Sequence, residues 1–150
     1  PFAAAYSADG RFLAAGGWMN VINVWPRTGD ARATSWKCDG PGHAVAFTPD
    51  GALAVVASGE VLTVFDTATH KPVRVLAGHA GPVQALAPCP DGTVLSGGDD
   101  GTVCVWDATA GRELRRFDWK VGPVKSLACA PDGQLAAVGG DGGLVLWDLE

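Results

Sequence analysis

Four short turns recur at a fixed interval, and a chain with that spacing has few folds open to it. They are Ala8-Asp9-Gly10, Pro49-Asp50-Gly51, Pro90-Asp91-Gly92 and Pro131-Asp132-Gly133, whose aspartates stand 41 residues apart each time. An aromatic keeps step at Trp25, Phe65, Trp106 and Trp147, at intervals of 40, 41 and 41. A period of this size marks a repeat architecture, in which each unit has an apolar face that only a neighbouring unit can cover.

The third copy shows what the unit contains. Val83 to Ala87 is a short apolar run that ends at Pro90-Asp91-Gly92. Thr93 to Gly97 follows, then the tight Asp99-Asp100-Gly101 turn, Thr102 to Trp106, and a more polar run from Glu113 to Asp118. Short runs rich in Val, Leu and aromatics, bounded by Asp-Gly turns, are antiparallel hairpin strands. Gly supplies the positive φ of such turns and Asp binds its own backbone there. The other copies repeat the plan. Inner runs fall at Phe2–Tyr6, His43–Phe47 and Val124–Ala128, and second runs at Arg11–Ala15, Ala52–Ala57 and Gln134–Val138. Third runs fall at Asn20–Trp25, Glu60–Phe65 and Gly143–Trp147, and outer runs at Arg32–Trp36 and Pro72–Ala77. No long helical apolar period survives before a breaker. The expected class is all-β, with four strands per unit and the last unit lacking its outer strand. Leu53–Ala57 and Leu144–Trp147 are apolar on both faces, as in small sheets stacked around an axis.

Composition narrows the function. Of 150 residues 47% are apolar and 18% charged, which excludes a disordered chain. A net charge of -5 argues against a nucleic-acid partner. The densest basic stretch, Arg112, Arg115, Arg116, Lys120 and Lys125, is diluted by Glu113 and Asp118 and reads as a solvated outer strand and loop. No run approaches the ~20 apolar residues of a membrane span. Cys38, Cys89, Cys104 and Cys129 lack Cys-x-x-Cys spacing and clustered His, so they read as free thiols of a reducing compartment, with an oxidised pair as the alternative. No cofactor is expected. The chain opens at Pro1 on a strand-like run and reads as a segment of something longer.

Val105-Trp106-Asp107 and Leu146-Trp147-Asp148, with Val64-Phe65-Asp66 and Val24-Trp25-Pro26 as weaker versions, resemble the WD-repeat (WD40) β-propeller family. Gly78-His79, lying 27 residues before Trp106, and Ser96-Gly97-Gly98-Asp99-Asp100-Gly101 complete the likeness. The resemblance implies blades of four antiparallel strands, each repeat giving the outer strand of one blade and three inner strands of the next. It implies a partial, open propeller of four blades, a single domain over 1–150 with repeats near 1–41, 42–82, 83–123 and 124–150. Such propellers usually close with seven blades, so an arc cut from a larger ring is expected. Two copies closing one ring is the less favoured alternative. An open arc exposes two apolar blade faces, which predicts self-association.

The family's hydrogen-bonded tetrad maps onto His79, Ser96, Asp100 and Trp106. Trp donates only, a carboxylate accepts only, and Ser and His relay between them. Ser, His and Asp also invite a hydrolase reading, but a repeat-locked spacing ending on Trp makes the set structural. Counting 41 onward places Lys120, Ala137, Asp141 and Trp147 at these positions. Counting back places Cys38, Val55, Gly59 and Phe65, and the first copy has Ala14, Met19 and Trp25. One blade alone keeps the network. The four turn aspartates belong to separate hairpins and read as turn chemistry, not a metal site, and His70 reads as an exposed loop residue.

Function is expected to be non-catalytic: a scaffold binding a protein or peptide partner, with no enzyme activity. The candidate contacts are the rim residues Trp18, Ser58, Asp99 and Gly140 and the inner-strand starts His43, Gln84 and Lys125. Trp18 is either a partner anchor or tucked against the first blade. The alternatives are a propeller segment regulating a fused catalytic domain such as a kinase, as in bacterial proteins resembling this family, or a propeller enzyme or ligand sensor. The last would need convergent His, carboxylate or metal ligands at the channel mouth.

Overall fold

The structure, a computed structural model, describes residues 3–29 and 32–150. Among these, fifteen strands and no helix form four antiparallel sheets. Blade 1 is β1 (Ala3–Tyr6), β2 (Phe12–Gly16), β3 (Val21–Pro26) and β4 (Thr34–Lys37). Blade 2 is β5 (Gly42–Phe47), β6 (Leu53–Ser58), β7 (Val61–Asp66) and β8 (Pro72–Ala77). Blade 3 is β9 (Val83–Pro88), β10 (Thr93–Gly98), β11 (Val103–Asp107) and β12 (Arg112–Phe117). Blade 4 has three strands, β13 (Val124–Cys129), β14 (Leu135–Gly140) and β15 (Gly143–Asp148). Each sheet runs in simple up-and-down order. The inner strands β1, β5, β9 and β13 are neighbours in turn, so the blades form an open arc. Strand bounds move by a residue or two from the sequence expectation; Phe2 lies outside the described residues.

The recurring turns are alike in detail. The amide of Gly10, Gly51, Gly92 or Gly133 donates to the carbonyl three residues back, at 2.8–3.0 Å. Each of these glycines has φ between 69° and 92°, the left-handed region where a Cβ is strained. The aspartate before each glycine accepts the amide two residues on: Asp9 from Arg11, Asp50 from Ala52, Asp91 from Thr93 and Asp132 from Gln134, at 2.9–3.0 Å. Three bonds on Asp9, from the Ser7 hydroxyl first and then the Arg11 amide and guanidinium, hold its pKa down to about 2. These carboxylates are spent on their own turns.

The core lies in the seams between blades. Ile22, Val24 and Trp36 of blade 1 meet Phe47, Val56 and Phe65 of blade 2. Leu62, Val64 and Leu76 of blade 2 meet Val94, Cys104 and Trp106 of blade 3. Leu95, Val103 and Val105 of blade 3 meet Ala136 and Val138 of blade 4. Thus blades 2, 3 and 4 each present a leading face, carrying the recurrent aromatic, to the trailing face of the blade before. Outer strands contribute one inward residue each at equivalent positions: Trp36, Leu76 and Phe117, opposite Ile22, Leu62 and Val103. The rest of β12 is exposed, with Arg116 paired to Glu113 at 2.6 Å.

Register corrects the strict 41-residue count. Val94 stands opposite Trp106 and Ser96 opposite Cys104. The same ladder places Leu13, Ala54 and Ala136 opposite Trp25, Phe65 and Trp147, and Ala15, Val56 and Val138 at the Ser96 position. Ala14, Val55 and Ala137 face the other way. Asp141 donates its amide to Pro123 O as Asp99 does to Pro82 O, so Asp141 is the counterpart of Asp99 and not of Asp100. The cause is a shorter turn before β10: the Cys89 amide donates to Thr93 O four residues on, where Thr48 and Ala130 donate five residues on, to Leu53 O and Leu135 O. The β10–β11 loop, longer than the two-residue hairpins Gly59-Glu60 and Asp141-Gly142, makes up the missing residue, so the repeat length is kept while β10 shifts by one against a count from the turns. His70 is also corrected: it is half-buried, accepts the Trp36 indole N–H at 3.3 Å and meets Phe12 edge-on.

All four cysteines are free thiols, Cys89 and Cys104 buried and Cys38 and Cys129 half-buried. Burial pushes the Cys104 thiol up to about 11; burial and the adjoining Cys129 thiol push Cys89 up to about 12. Only the thiolate alkylates. At pH 8, iodoacetamide is therefore expected to spare Cys89 and Cys104 in the native chain and to modify both in urea. Peptide mass mapping reads the result. Native-state labelling of Cys104 at the rate seen in urea would contradict the seam packing.

Candidate functional site

Beneath the rim of blade 3 runs a buried polar chain. Trp106 Nε1–H donates to Ser96 Oγ at 2.7 Å, and Ser96 Oγ lies 2.7 Å from His79 Nε2. His79 Nδ1 lies 3.0 Å from Asp100 Oδ2. A carboxylate only accepts, so Nδ1 carries the proton there and Nε2 is left to accept the Ser96 hydroxyl. Asp100 also accepts the amides of Ala80 and Thr102 at 2.8 and 3.0 Å and the Thr102 hydroxyl at 2.8 Å. Burial alone would raise its pKa; the Thr102 and Ala80 amides, the Thr102 hydroxyl and His79 outweigh burial and hold it below the usual carboxylate range. Every member is satisfied, the condition under which a buried network stabilises. With its hydroxyl shared between Trp106 and His79, Ser96 is fully buried in the seam.

In the seams on either side the recurrent aromatic packs against other rings instead. Trp36 stacks on Phe65 at 4.6 Å and 7°, and Trp147 packs against Phe117 and Trp119 at 4.4 and 5.1 Å.

The rim itself is organised by a repeated irregularity. The ladder skips one residue near the start of three inner strands: His43 in β5, Gln84 in β9 and Lys125 in β13. A β-bulge re-aims the side chain it releases from the ladder. Two of the three meet on one carboxylate. Gln84 Nε2 donates to Asp99 Oδ2 at 2.9 Å, and Lys125 Nζ donates to Asp99 Oδ1 at 2.7 Å, joining blade 3 to blade 4. The hydrogen bond from Lys125 is the main reason the Asp99 pKa is lowered, with Gln84 and the nearby His43 adding to it. Asp99, and less so Asp141, raise the pKa of Lys125. His43, Gln84, Asp99 and Lys125 therefore share one end of the arc.

The remaining candidates lie apart. Trp18 stands on the β2–β3 hairpin with 79% of its surface exposed, beside Met19 over a hollow of about 240 Å³ that Trp25 also lines. Ser58 is buried below the rim, and its Oγ has no hydrogen-bond partner among the described residues. At Gly140 a Cβ would lie 2.6 Å from Val121 O and 2.9 Å from Pro123 O, so the residue is a close backbone approach. Among the described residues no group of three or more His, Cys, Asp or Glu is placed to hold a metal ion.

A family model, the WD domain, G-beta repeat, matches residues 70–107 and 111–148, just over half of the chain. The chain belongs to the WD40 repeat family. No curated protein matches it. Each matched span begins ahead of an outer strand and runs through three inner strands of the next blade, so the WD40 repeat is offset from the blade by one strand. Both spans end on Trp-Asp, at Trp106-Asp107 and Trp147-Asp148, whereas the unmatched copies carry Phe65-Asp66 and Trp25-Pro26. WD40 repeats generally mediate protein–protein contacts and are generally non-catalytic.

The bulge residues were legible as a polar position in step with the repeat. Their convergence on Asp99 was not, because it depends on which way the bulge turns each side chain.

Proposed function

We propose that this chain is a non-catalytic scaffold whose protein or peptide partner is held at the rim formed by His43, Gln84, Asp99 and Lys125, with Trp18 as an outlying aromatic anchor. The observation that carries it is the bulge repeated in three successive blades, which turns polar side chains out at one end of a rigid arc. Rigid scaffolds that present polar groups at strand ends suit recognition, because little side-chain freedom is lost on binding. Asp99 is held by both neighbours yet a third of its side chain is exposed, so it keeps surface for a partner's donors. His79, Ser96, Asp100 and Trp106 take a structural role beneath it: they fix the β10–β11 loop that carries Asp99.

The test uses a random-peptide display library panned against the chain. Selected peptides are expected to lose at least tenfold in affinity, about 1.4 kcal/mol, against the triple variant Trp18→Ala, Gln84→Ala, Asp99→Ala with an unchanged far-UV spectrum. Unchanged affinity would move the binding surface elsewhere.

A further inference from the structure

The turn after β9 departs from those of the two blades before it, and the departure concerns a thiol. In blades 1 and 2 the residue whose amide donates to the first residue of the second strand carries a hydroxyl. That hydroxyl is spent on the turn: Ser7 Oγ donates to Asp9 at 2.7 Å and Thr48 Oγ1 to Asp50 at 2.6 Å. In blade 3 the same place belongs to Cys89, and the turn aspartate takes its hydroxyl from Thr93 instead, at 2.7 Å from Asp91. Released from the turn, Cys89 packs into the seam with blade 4, in a cluster with Leu95 and Ala136 against which Cys129 also packs. Cys129 closes β13, the inner strand beside β9, and both thiols border one hollow of about 280 Å³ with Phe47 and Pro88. Of the four cysteines these are the two that share a cluster; Cys38 packs at the first seam and Cys104 at the second. Both sides of this seam are supplied by the chain, so the juxtaposition owes nothing to its ends.

We propose that Cys89 and Cys129 form an oxidation site, a dithiol that hydrogen peroxide converts into a disulfide stapling blade 3 to blade 4. Cys129 is half-buried and Cys89 buried, so the peroxide meets Cys129 first. The Cys129 thiolate attacks one peroxide oxygen and the O–O bond breaks. Hydroxide leaves, takes up the proton the thiol gave, and departs as water, with Cys129 now a sulfenic acid. The Cys89 sulfur then attacks that sulfur: the S–S bond forms, the S–O bond breaks, and the departing hydroxide takes the Cys89 proton. The sulfurs are oxidised and the peroxide oxygens reduced to water. Burial, and then the adjoining Cys129 thiol, push Cys89 up to about 12, which keeps it protonated and sets it as the second partner. Its low thiolate fraction is offset by proximity, since it is held beside the sulfur it attacks. Gln84 and Lys125, which grip Asp99, lie near the starts of these same two strands, so the disulfide pins them at the end remote from the rim. The pair stands whether or not the rim binds a peptide.

Peptide mass mapping of the native chain after a small molar excess of hydrogen peroxide tests it. Remaining thiols are blocked in urea, and the chain is cut before aspartates without reduction. Asp91, Asp99 and Asp100 lie between Cys89 and Cys104, so these two thiols fall on separate peptides. The peptides of Cys89 and Cys129 are expected to be linked, about 2 Da lighter than their sum, and to part on adding dithiothreitol. The oxidised chain is expected to unfold at a higher urea midpoint than the reduced one, because the cross-link constrains the unfolded state. In Cys89→Ser the reaction is expected to stop at the Cys129 sulfenic acid, which dimedone traps, and in Cys129→Ser Cys89 is expected to stay reduced. A native wild-type chain in which both thiols stay reduced would overturn the proposal, as would Cys129 passing to the sulfinic acid with no link to Cys89. A disulfide that joins another pair or two copies, or one that forms only in urea, would overturn it as well. A linked chain with an unchanged urea midpoint would overturn the stapling of the seam.

Discussion

Trp106→Ala is expected to destabilise the chain by about 3–5 kcal/mol, read as a lower urea midpoint at unchanged slope and fixed protein concentration. Two losses combine. The side chain is 2% exposed between blades 2 and 3, so its removal leaves a large cavity among Leu62, Val64 and Val94. The Ser96 hydroxyl also loses the indole donor at 2.7 Å. Trp106→Phe keeps most of the packing and isolates the second loss, about 1–3 kcal/mol for a buried group left under-satisfied. His79→Ala is expected in that same range, because it strips a partner from Ser96 and another from Asp100. In the His79→Ala, Ser96→Ala double variant the costs should fall short of additive, since each already breaks one chain. A Trp106→Ala loss below about 1 kcal/mol would show that this seam carries little of the stability.

The repeat made the fold legible, and its regularity also produced the errors. Asp-Gly turns recur because one backbone bend recurs, and a bend needs a residue free to take positive φ; that chemistry is local and visible in four letters. The recurrent aromatic is visible because each seam wants a large ring in the same place. Counting by a constant number fails where a hairpin changes length without changing the fold. Ser96 therefore has Val138 and Val56 as counterparts rather than Ala137 and Val55, and Asp141 belongs with Asp99. The tetrad was legible as residue types that can donate and accept in sequence. Two other features left no such mark. Trp119 looks like loop filler until the fold brings it 5.1 Å from Trp147. Ser58, beside the Gly59-Glu60 hairpin, has the look of a rim residue, yet it is the buried last residue of β6 and Gly40 packs over it: a Cβ on Gly40 would lie 3.3 Å from Ser58 Oγ. Burial set by a residue eighteen positions away is not written in the neighbours of either.

Trp36→Ala is the second large expected loss, again about 3–5 kcal/mol by urea unfolding, although the residue lies on an outer strand. Outer strands β8 and β12 are exposed along most of their length. The inward residue of β4 is Trp36, which is 1% exposed and lies flat on Phe65 of the next blade, with centroids 4.6 Å apart and planes 7° from parallel. Its indole N–H reaches His70 Nδ1, so this one side chain ties blade 1 to the β7–β8 turn of blade 2. The equivalent outer-strand residues are Leu76 and Phe117, spaced 40 and 41 residues on, a repeat-locked signal that a search for inward residues on polar strands would find. A double-mutant cycle with Phe65→Ala is expected to give a coupling of about 0.5–1.5 kcal/mol, the range for a stacked aromatic pair. Strict additivity of the two variants would mean that the rings touch without mutual stabilisation. In that case Ile22, Val24 and Val56, and not the aromatic stack, hold the first two blades together.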